Sequence, residues 1–253
     1  MTNKLKYFIG NWKMFGDYGS IEIIKKIHNF NTKFTKNYKN SKIILCVPST
    51  LISFFNKKLK SKLISIGGQN CHHEQKYGPF TGSISSSMLK KVGAKYVIIG
   101  HSENRKEGET NLLLKKKISS AIKENLVVIF CIGESYLQKK NGKTFSVLRK
   151  QLKSSINKKF NHNKIIIAYE PIWSIGTGKI PKIEDLRKTF KFIIKEYKKN
   201  FSLKNHPVVL YGGSVNDRNI SVFSSIPEIS GFLIGGASQS SKKFIDIIKN
   251  YYK

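Results

Sequence analysis

Five short stretches of the chain pair a group that can do chemistry with a turn that would expose it. They are Gly10-Asn11-Trp12-Lys13, Gly100-His101-Ser102-Glu103, Glu170 before Pro171, Tyr211-Gly212-Gly213-Ser214 and Gly235-Gly236-Ala237-Ser238. Together they offer an ammonium, an imidazole, a carboxylate and two glycine turns. The glycine turns suit an anion such as phosphate, because glycine lets backbone N–H groups approach a ligand closely and a helix start adds a favourable dipole. Each stretch also has an ordinary reading. A Glu before a proline often only closes a strand, a lone histidine after a strand is more often structural, and a GG pair is more often plain turn chemistry. A catalytic reading of Glu170 and His101 therefore depends on whether the chain delivers all five to one place.

Each stretch follows a short β-branched or aromatic run. Such runs open near Tyr7, Ile43, Leu63, Tyr96, Leu126, Ile165, Pro207 and Gly231, and Gly, Pro, Ser or a polar residue closes each. Lysine-rich segments with helical spacing lie between most of them. Ile21, Ile24, Ile27, Phe30 and Phe34 recur at three or four, as do Leu186, Phe190, Ile193 and Ile194, with charges on the opposite face. Eight strands alternating with helices over about 250 residues is the arithmetic of a (β/α)8 barrel, expected here as one domain over residues 1–253. An open doubly wound sheet shares that alternation, and periodicity alone does not separate the two. In a barrel the C-terminal strand ends converge on one mouth, so the five stretches become neighbours.

Bulk properties narrow the function classes. A 253-residue chain with 40% hydrophobic content can bury a sizeable core. Its longest apolar runs, such as 126–132, fall far short of the roughly 20 residues that span a bilayer. The first strand-like run begins almost at residue 1, which leaves no room for a cleavable signal and points to the cytoplasm. Cys46, Cys71 and Cys131 are odd in number, widely spaced and mostly in apolar runs, so they are expected as reduced core residues. The formal charge of +31 invites a nucleic-acid reading. Its distribution argues against a specific one. The lysines are spread over every predicted helix and only Arg105, Arg149, Arg187 and Arg218 carry guanidinium groups, without a basic arm or aromatic platform. Weak polyanion binding at low salt is all the charge implies.

The stretches "GNWKM" at 10–14, "GQN" at 68–70, "FTG" at 80–82, "IIGHSE" at 98–103, "CIGE" at 131–134, "AYEPIWSIGTGK" at 168–179, "YGGSV" at 211–215 and "GGAS" at 235–238 appear in one order along the whole chain. In them the sequence closely resembles the triosephosphate isomerase family. The resemblance implies interconversion of dihydroxyacetone phosphate and D-glyceraldehyde 3-phosphate through an enediolate, in glycolysis and gluconeogenesis, without cofactor or metal. It makes Glu170 the base and His101, working as neutral imidazole behind a helix start capped by Ser102, the donor that shuttles protons between the two oxygens. Lys13 brings positive charge and pairs with Glu103, and Asn11 supplies an amide donor. The phosphate is expected on backbone N–H groups of Gly176, Ser214, Gly235 and Gly236. Pro171 through Lys179 form a lid, and Ile175 and Leu233 clamp the carboxylate when it closes. His72 and His73 match no functional position and are expected in a loop, with no metal between them.

The resemblance also implies a homodimer, with Thr81 reaching the partner's Asn11. Two positions depart from the family together. Ser83 stands where Glu is usual and Asn104 where Arg is usual, which removes both members of a charge pair without stranding either. At the far end of the lid Pro181 replaces a usual alanine. It either stiffens the hinge or serves as the first residue of the next helix. Two other readings stay open from the sequence: another sugar-phosphate enzyme on a phosphate-binding barrel, and a barrel scaffold that binds polyanions.

Overall fold

The computed structural model describes residues 5–33, 40–59 and 63–253. Eight strands close into one parallel barrel in chain order: β1 (Lys6–Asn11), β2 (Ser41–Cys46), β3 (Ile64–Gly68), β4 (Tyr96–Ile99), β5 (Val127–Ile132), β6 (Ile165–Tyr169), β7 (Val208–Tyr211) and β8 (Gly231–Ile234). The barrel closes where β1 pairs with β8, Tyr7 opposite Gly231 and Gly10 opposite Ile234. The doubly wound alternative is thereby excluded, since an open sheet keeps two free edges and this one has none. Strand starts fall within two residues of the runs read from the sequence. Pro207 stands just outside β7 because it has no N–H to give the ladder.

Strand residues alternate between two apolar layers, as a period of two requires. Ile9, Ile44, Cys46, Ile98, Ile129, Cys131, Ile166, Leu210 and Leu233 belong to one buried cluster, which fills the barrel. Their neighbours Phe8, Ile43, Leu45, Val97, Val128, Phe130, Val209 and Phe232 belong to the other, shared with the helices. All three cysteines are buried and unpaired, and burial pushes the Cys71 thiol up to about 12.

The helices outside the barrel are α1 (Ile21–Lys33), α2 (Ser49–Leu59), α3 (Ser86–Lys91), α4 (Ser102–Lys106), α5 (Asn111–Lys123), α6 (Tyr136–Lys140), α7 (Thr144–Ser155), α8 (Ile183–Phe201) and α9 (Ser241–Tyr251) among the described residues. Helix α1 buries Ile21, Ile24, Ile27 and Phe30; Phe34, expected on the same face, lies outside the described residues. Helix α8 buries Leu186, Phe190, Ile193, Tyr197 and Phe201, with Ile194 partly covered. Truncating Phe190 to Ala in such packing costs about 3–5 kcal/mol. Acids at Glu184 and Asp185 and lysines at 198 and 199 oppose the α8 dipole at both ends. Its N-cap is Lys182, so Pro181 precedes the cap and is not the first helical residue. No helix among the described residues is long and apolar enough to cross a membrane.

Candidate active site

The C-terminal ends of the strands bring all eight expected site residues to one cavity of about 620 Å³. Asn11, Lys13, His101, Glu170, Gly176, Ser214, Gly235 and Gly236 all line it, together with Ile175 and Leu233. The sequence order of these groups spans the whole chain, and only barrel closure makes them neighbours.

At the end of β1, Lys13 holds a left-handed backbone, φ 56°, a conformation that costs a non-glycine residue of order 1–3 kcal/mol. Its surroundings impose it. The Lys13 N–H donates to Asn11 Oδ1 at 3.1 Å, and Gln69 Nε2 donates to the same oxygen at 3.4 Å. Gln239 Nε2 donates to the Trp12 carbonyl at 2.8 Å. With its Oδ1 engaged by two donors, Asn11 has its amide Nδ2 to offer a ligand. The turned backbone aims the Lys13 ammonium at Glu103, 2.6 Å away.

His101 caps helix α4 itself. Its Nδ1 accepts from the Glu103 N–H at 3.3 Å, which corrects the expectation of Ser102 as N-cap: the ring nitrogen satisfies a free N–H of the first turn from the residue before Ser102. A ring nitrogen that accepts carries no proton, so the proton sits on Nε2, and Nε2 lies 3.4 Å from Glu170 Oε1. The Ser102 backbone N–H lies on the Glu170 side of this corner and favours the ionised carboxylate. Arg105 braces the same corner, donating to the Gly100 carbonyl at 2.8 Å and the Cys131 carbonyl at 3.0 Å.

Glu170 is buried and its carboxyl is pushed above the ordinary range by desolvation, against the opposing effects of His101, the Cys131 thiol, the Ser102 N–H and Lys13. Its main chain is pinned by its N–H to the Ile132 carbonyl at 2.7 Å. A Cβ on Gly133 would stand 1.8 Å from the Glu170 carbonyl oxygen, so the "CIGE" glycine is what lets β6 end here. The segment expected to form the lid begins directly after. Trp173 donates from Nε1 to Glu134 Oε1 at 3.1 Å, Tyr169 OH donates to the same oxygen at 3.2 Å, and the Lys139 ammonium sits 3.8 Å from the centre of the Trp173 ring. Gly235 and Gly236 open a short 3-10 turn, with their backbone on the cavity wall.

Sequence spacing gave no sign of Gln69, Cys131 or Arg105 as partners of these groups. The "GQN" and "CIGE" stretches were the available signals, since each carries a polar or small residue at a strand end. His72 and His73 are half-buried loop residues with ring centroids 4.2 Å apart at a 37° tilt, and the His72 ring lies 4.4 Å from that of Phe80 at a 35° tilt. Among the described residues no group of three His, Cys, Asp or Glu side chains could hold a metal ion.

A closed parallel barrel with a buried carboxylate, an imidazole and an ammonium converging at its mouth beside glycine turns defines a (β/α)8 enzyme of the proton-transfer class. The family model described as triosephosphate isomerase matches residues 6–251. A triosephosphate isomerase of Dictyoglomus thermophilum is 41% identical over 97% of this chain and 99% of its own length. One from Bartonella bacilliformis is 38% identical over the full length of both. The crystal structure of triosephosphate isomerase from Bartonella henselae superposes with a TM-score of 0.89 at 35% identity, covering 98% of this chain and 99% of that one. The chain belongs to the triosephosphate isomerase family.

Proposed function

We propose that this chain interconverts dihydroxyacetone phosphate and D-glyceraldehyde 3-phosphate, the isomerase step shared by glycolysis and gluconeogenesis. The observation that carries the reading is a single buried carboxylate, Glu170, within 3.4 Å of a histidine Nε2 in the cavity that also holds the Lys13 ammonium. Proton removal next to a carbonyl leaves a strongly basic enediolate, so the site must supply a desolvated base and donors for the developing oxygens. Glu170 takes the proton from one carbon and returns it to the neighbouring carbon. His101 Nε2–H donates to the oxygen that gains charge and recovers a proton from the other oxygen, while Lys13 and the Asn11 amide stabilise the same charge. The exchange is redox-neutral and each proton is returned, so the step as drawn draws on no cofactor. Backbone N–H groups of Gly176, Ser214, Gly235 and Gly236 hold the phosphate, and Ile175 and Leu233 exclude water when the lid is down.

One catalytic domain over residues 1–253, working in the cytoplasm as a homodimer, completes the reading. A second cleft of about 490 Å³, lined by Asn11, Lys13, Gln69, Asn70, Ser83 and Asn104, supports the dimer. Nearby, Tyr77, Phe80 and a fully exposed Met14 offer apolar surface that a second copy would cover. The test of function is a coupled assay with D-glyceraldehyde 3-phosphate. Turnover on the order of 10² per second or more supports the isomerase. Turnover of a different sugar phosphate alone would move the chain to another barrel activity, and polyanion binding with no turnover would leave it a scaffold.

A further inference from the structure

The Ser174 hydroxyl lies at the start of the lid, fully buried, and every hydrogen-bonding capacity it has is engaged. It donates its one proton to the Lys179 carbonyl at 2.6 Å, tying the two ends of the lid together. Its lone pairs then accept from Tyr211 OH at 3.1 Å and from the Ser214 backbone N–H at 3.3 Å. Tyr211 is buried at the end of β7, and burial pushes its phenol up to about 12, so it keeps its proton and donates. Gly213 makes room for the cluster, since a Cβ there would stand 2.3 Å from Tyr211 OH and 2.8 Å from Ser174 Oγ. The Ser214 N–H is one of the donors assigned above to the substrate phosphate, so the lid occupies part of the phosphate site.

We propose that the Ser174 hydroxyl is an internal competitor for the Ser214 N–H, released when phosphate arrives, and that this exchange links the phosphate site to the position of the lid. The proposal rests on the phosphate reading of Ser214. A dianionic phosphate oxygen is a stronger acceptor than a neutral hydroxyl at 3.3 Å, so the N–H transfers to it. Ser174 then keeps only Lys179 and Tyr211, and the lid loses its hold on the phosphate turn just as the substrate fills the space beneath it. Ser174 is thus a positioning residue that acts through the Ser214 amide and touches no reacting atom.

The test titrates inorganic phosphate into the full-length wild type, Ser174→Ala and Tyr211→Phe, by calorimetry and by the fluorescence of Trp173, the second tryptophan Trp12 being fully buried. In Ser174→Ala the competitor is gone. Phosphate should bind about two- to fivefold tighter, the size of one modest hydrogen bond, while the Trp173 response to phosphate shrinks by at least half and turnover falls. Tyr211→Phe keeps the competitor and should show no tightening. A merely structural role for Ser174 would weaken phosphate binding and turnover together. Phosphate affinity in Ser174→Ala equal to or weaker than wild type, with the Trp173 response intact, overturns the proposal and leaves the phosphate site standing. Failure of the wild type itself to bind phosphate overturns the site reading, and the proposal falls with it.

Discussion

On the β6–β8 side of the barrel mouth the cavity encloses a carboxylate whose side chain is 3% exposed, whereas on the β1–β4 side the adjoining cleft opens beside Glu103, whose side chain is 55% exposed. The two cavities share Asn11, Lys13 and His101. For Glu103, partial burial works to raise the carboxyl, but the Lys13 hydrogen bond and the neighbouring charges outweigh it and hold the group below the usual range. For Glu170 the balance is reversed, and burial wins over the same Lys13 and His101. Two glutamates under the influence of one lysine and one histidine therefore separate into a carboxyl held below the usual range and one pushed above it, as the proposed counter-charge and base require. Depth beneath the surface makes the difference.

Removing the acceptor is the strongest way to break that contrast. Glu170→Gln keeps the shape and loses the base, and kcat is expected to fall on the order of 10³-fold or more, with KM within a few fold of wild type. The sign for stability is opposite. A carboxyl whose folded pKa is raised favours the fold while protonated, and that contribution is lost as pH rises from the ordinary Glu range through the raised value. Wild type thus carries a buried charge at neutral pH that the glutamine lacks. Thermal melts at pH 4 and pH 7.5 should show Glu170→Gln the more stable at pH 7.5, with the gap closing at pH 4. The acid limb of wild-type kcat/KM should lie above the ordinary carboxylate value of about 4.3. Near-normal turnover, or a gap that persists at pH 4, would remove Glu170 from its role.

Lys13 serves both cavities, so its loss should be felt in both. Lys13→Met is expected to lower kcat/KM by roughly 10²–10³-fold, through binding and turnover together, because in the proposed reaction substrate and enediolate both face its charge. Steady-state kinetics read the split. Unchanged KM with reduced kcat would mean that Lys13 meets only the enediolate.

The β6–β8 side was the more legible in sequence. Glycines and prolines that end apolar runs mark where strands stop, so Glu170, Gly213 and Gly235 could be assigned to strand ends, and the barrel then makes them neighbours. The arrangement inside each corner was not legible. Cys131 beside Glu170, Gln69 on Asn11 and Arg105 on the Cys131 carbonyl join positions whose separation along the chain follows no period. The cap on α4 escaped for another reason. Serine is the common N-cap and Ser102 stands at the helix start, but the His101 ring nitrogen, at φ −53° and ψ 146°, accepts from the first turn instead. The second cleft is the least legible, since in the proposed homodimer the surface that fills it belongs to another copy.

That second copy offers a milder test of the contrast. Each chain carries a formal +31, and at 0.01 M salt the Debye length of about 30 Å lets two copies repel over much of their width. In the proposed dimer, Ser83 and Asn104 line the cleft without a charge pair, and exposed Met14, Tyr77 and Phe80 are the apolar surface open to a second copy. The dimer is expected to tighten several-fold between 0.01 and 0.2 M salt, measured by sedimentation velocity. Loosening with salt would show that ion pairs across the interface outweigh the net charge.

The smallest effect is expected at Pro181, where the lid rejoins the body. Proline fixes φ near −65° and removes an N–H, and it steers Ile180 toward extended backbone. Because Lys182 is the N-cap of α8, the proline contributes nothing as a first helical residue. It is instead buried beside Tyr169, Trp173 and Leu186 along a small cavity of about 150 Å³. The Lys179 carbonyl is meanwhile held by Ser174. Any rotation at this end of the lid is left to Lys179 and Ile180, between a held carbonyl and a rigid ring. Pro181→Ala should therefore speed lid exchange, read by NMR relaxation dispersion over residues 174–180, and shift kcat by no more than about threefold where product release limits. Loss of the proline should also cost about 0.4–1 kcal/mol of stability through a freer unfolded chain, before any loss of packing. Unchanged exchange in the variant would mean that the ring serves only to fill the cavity beside Trp173, and that the rotation the lid needs takes place before Lys179.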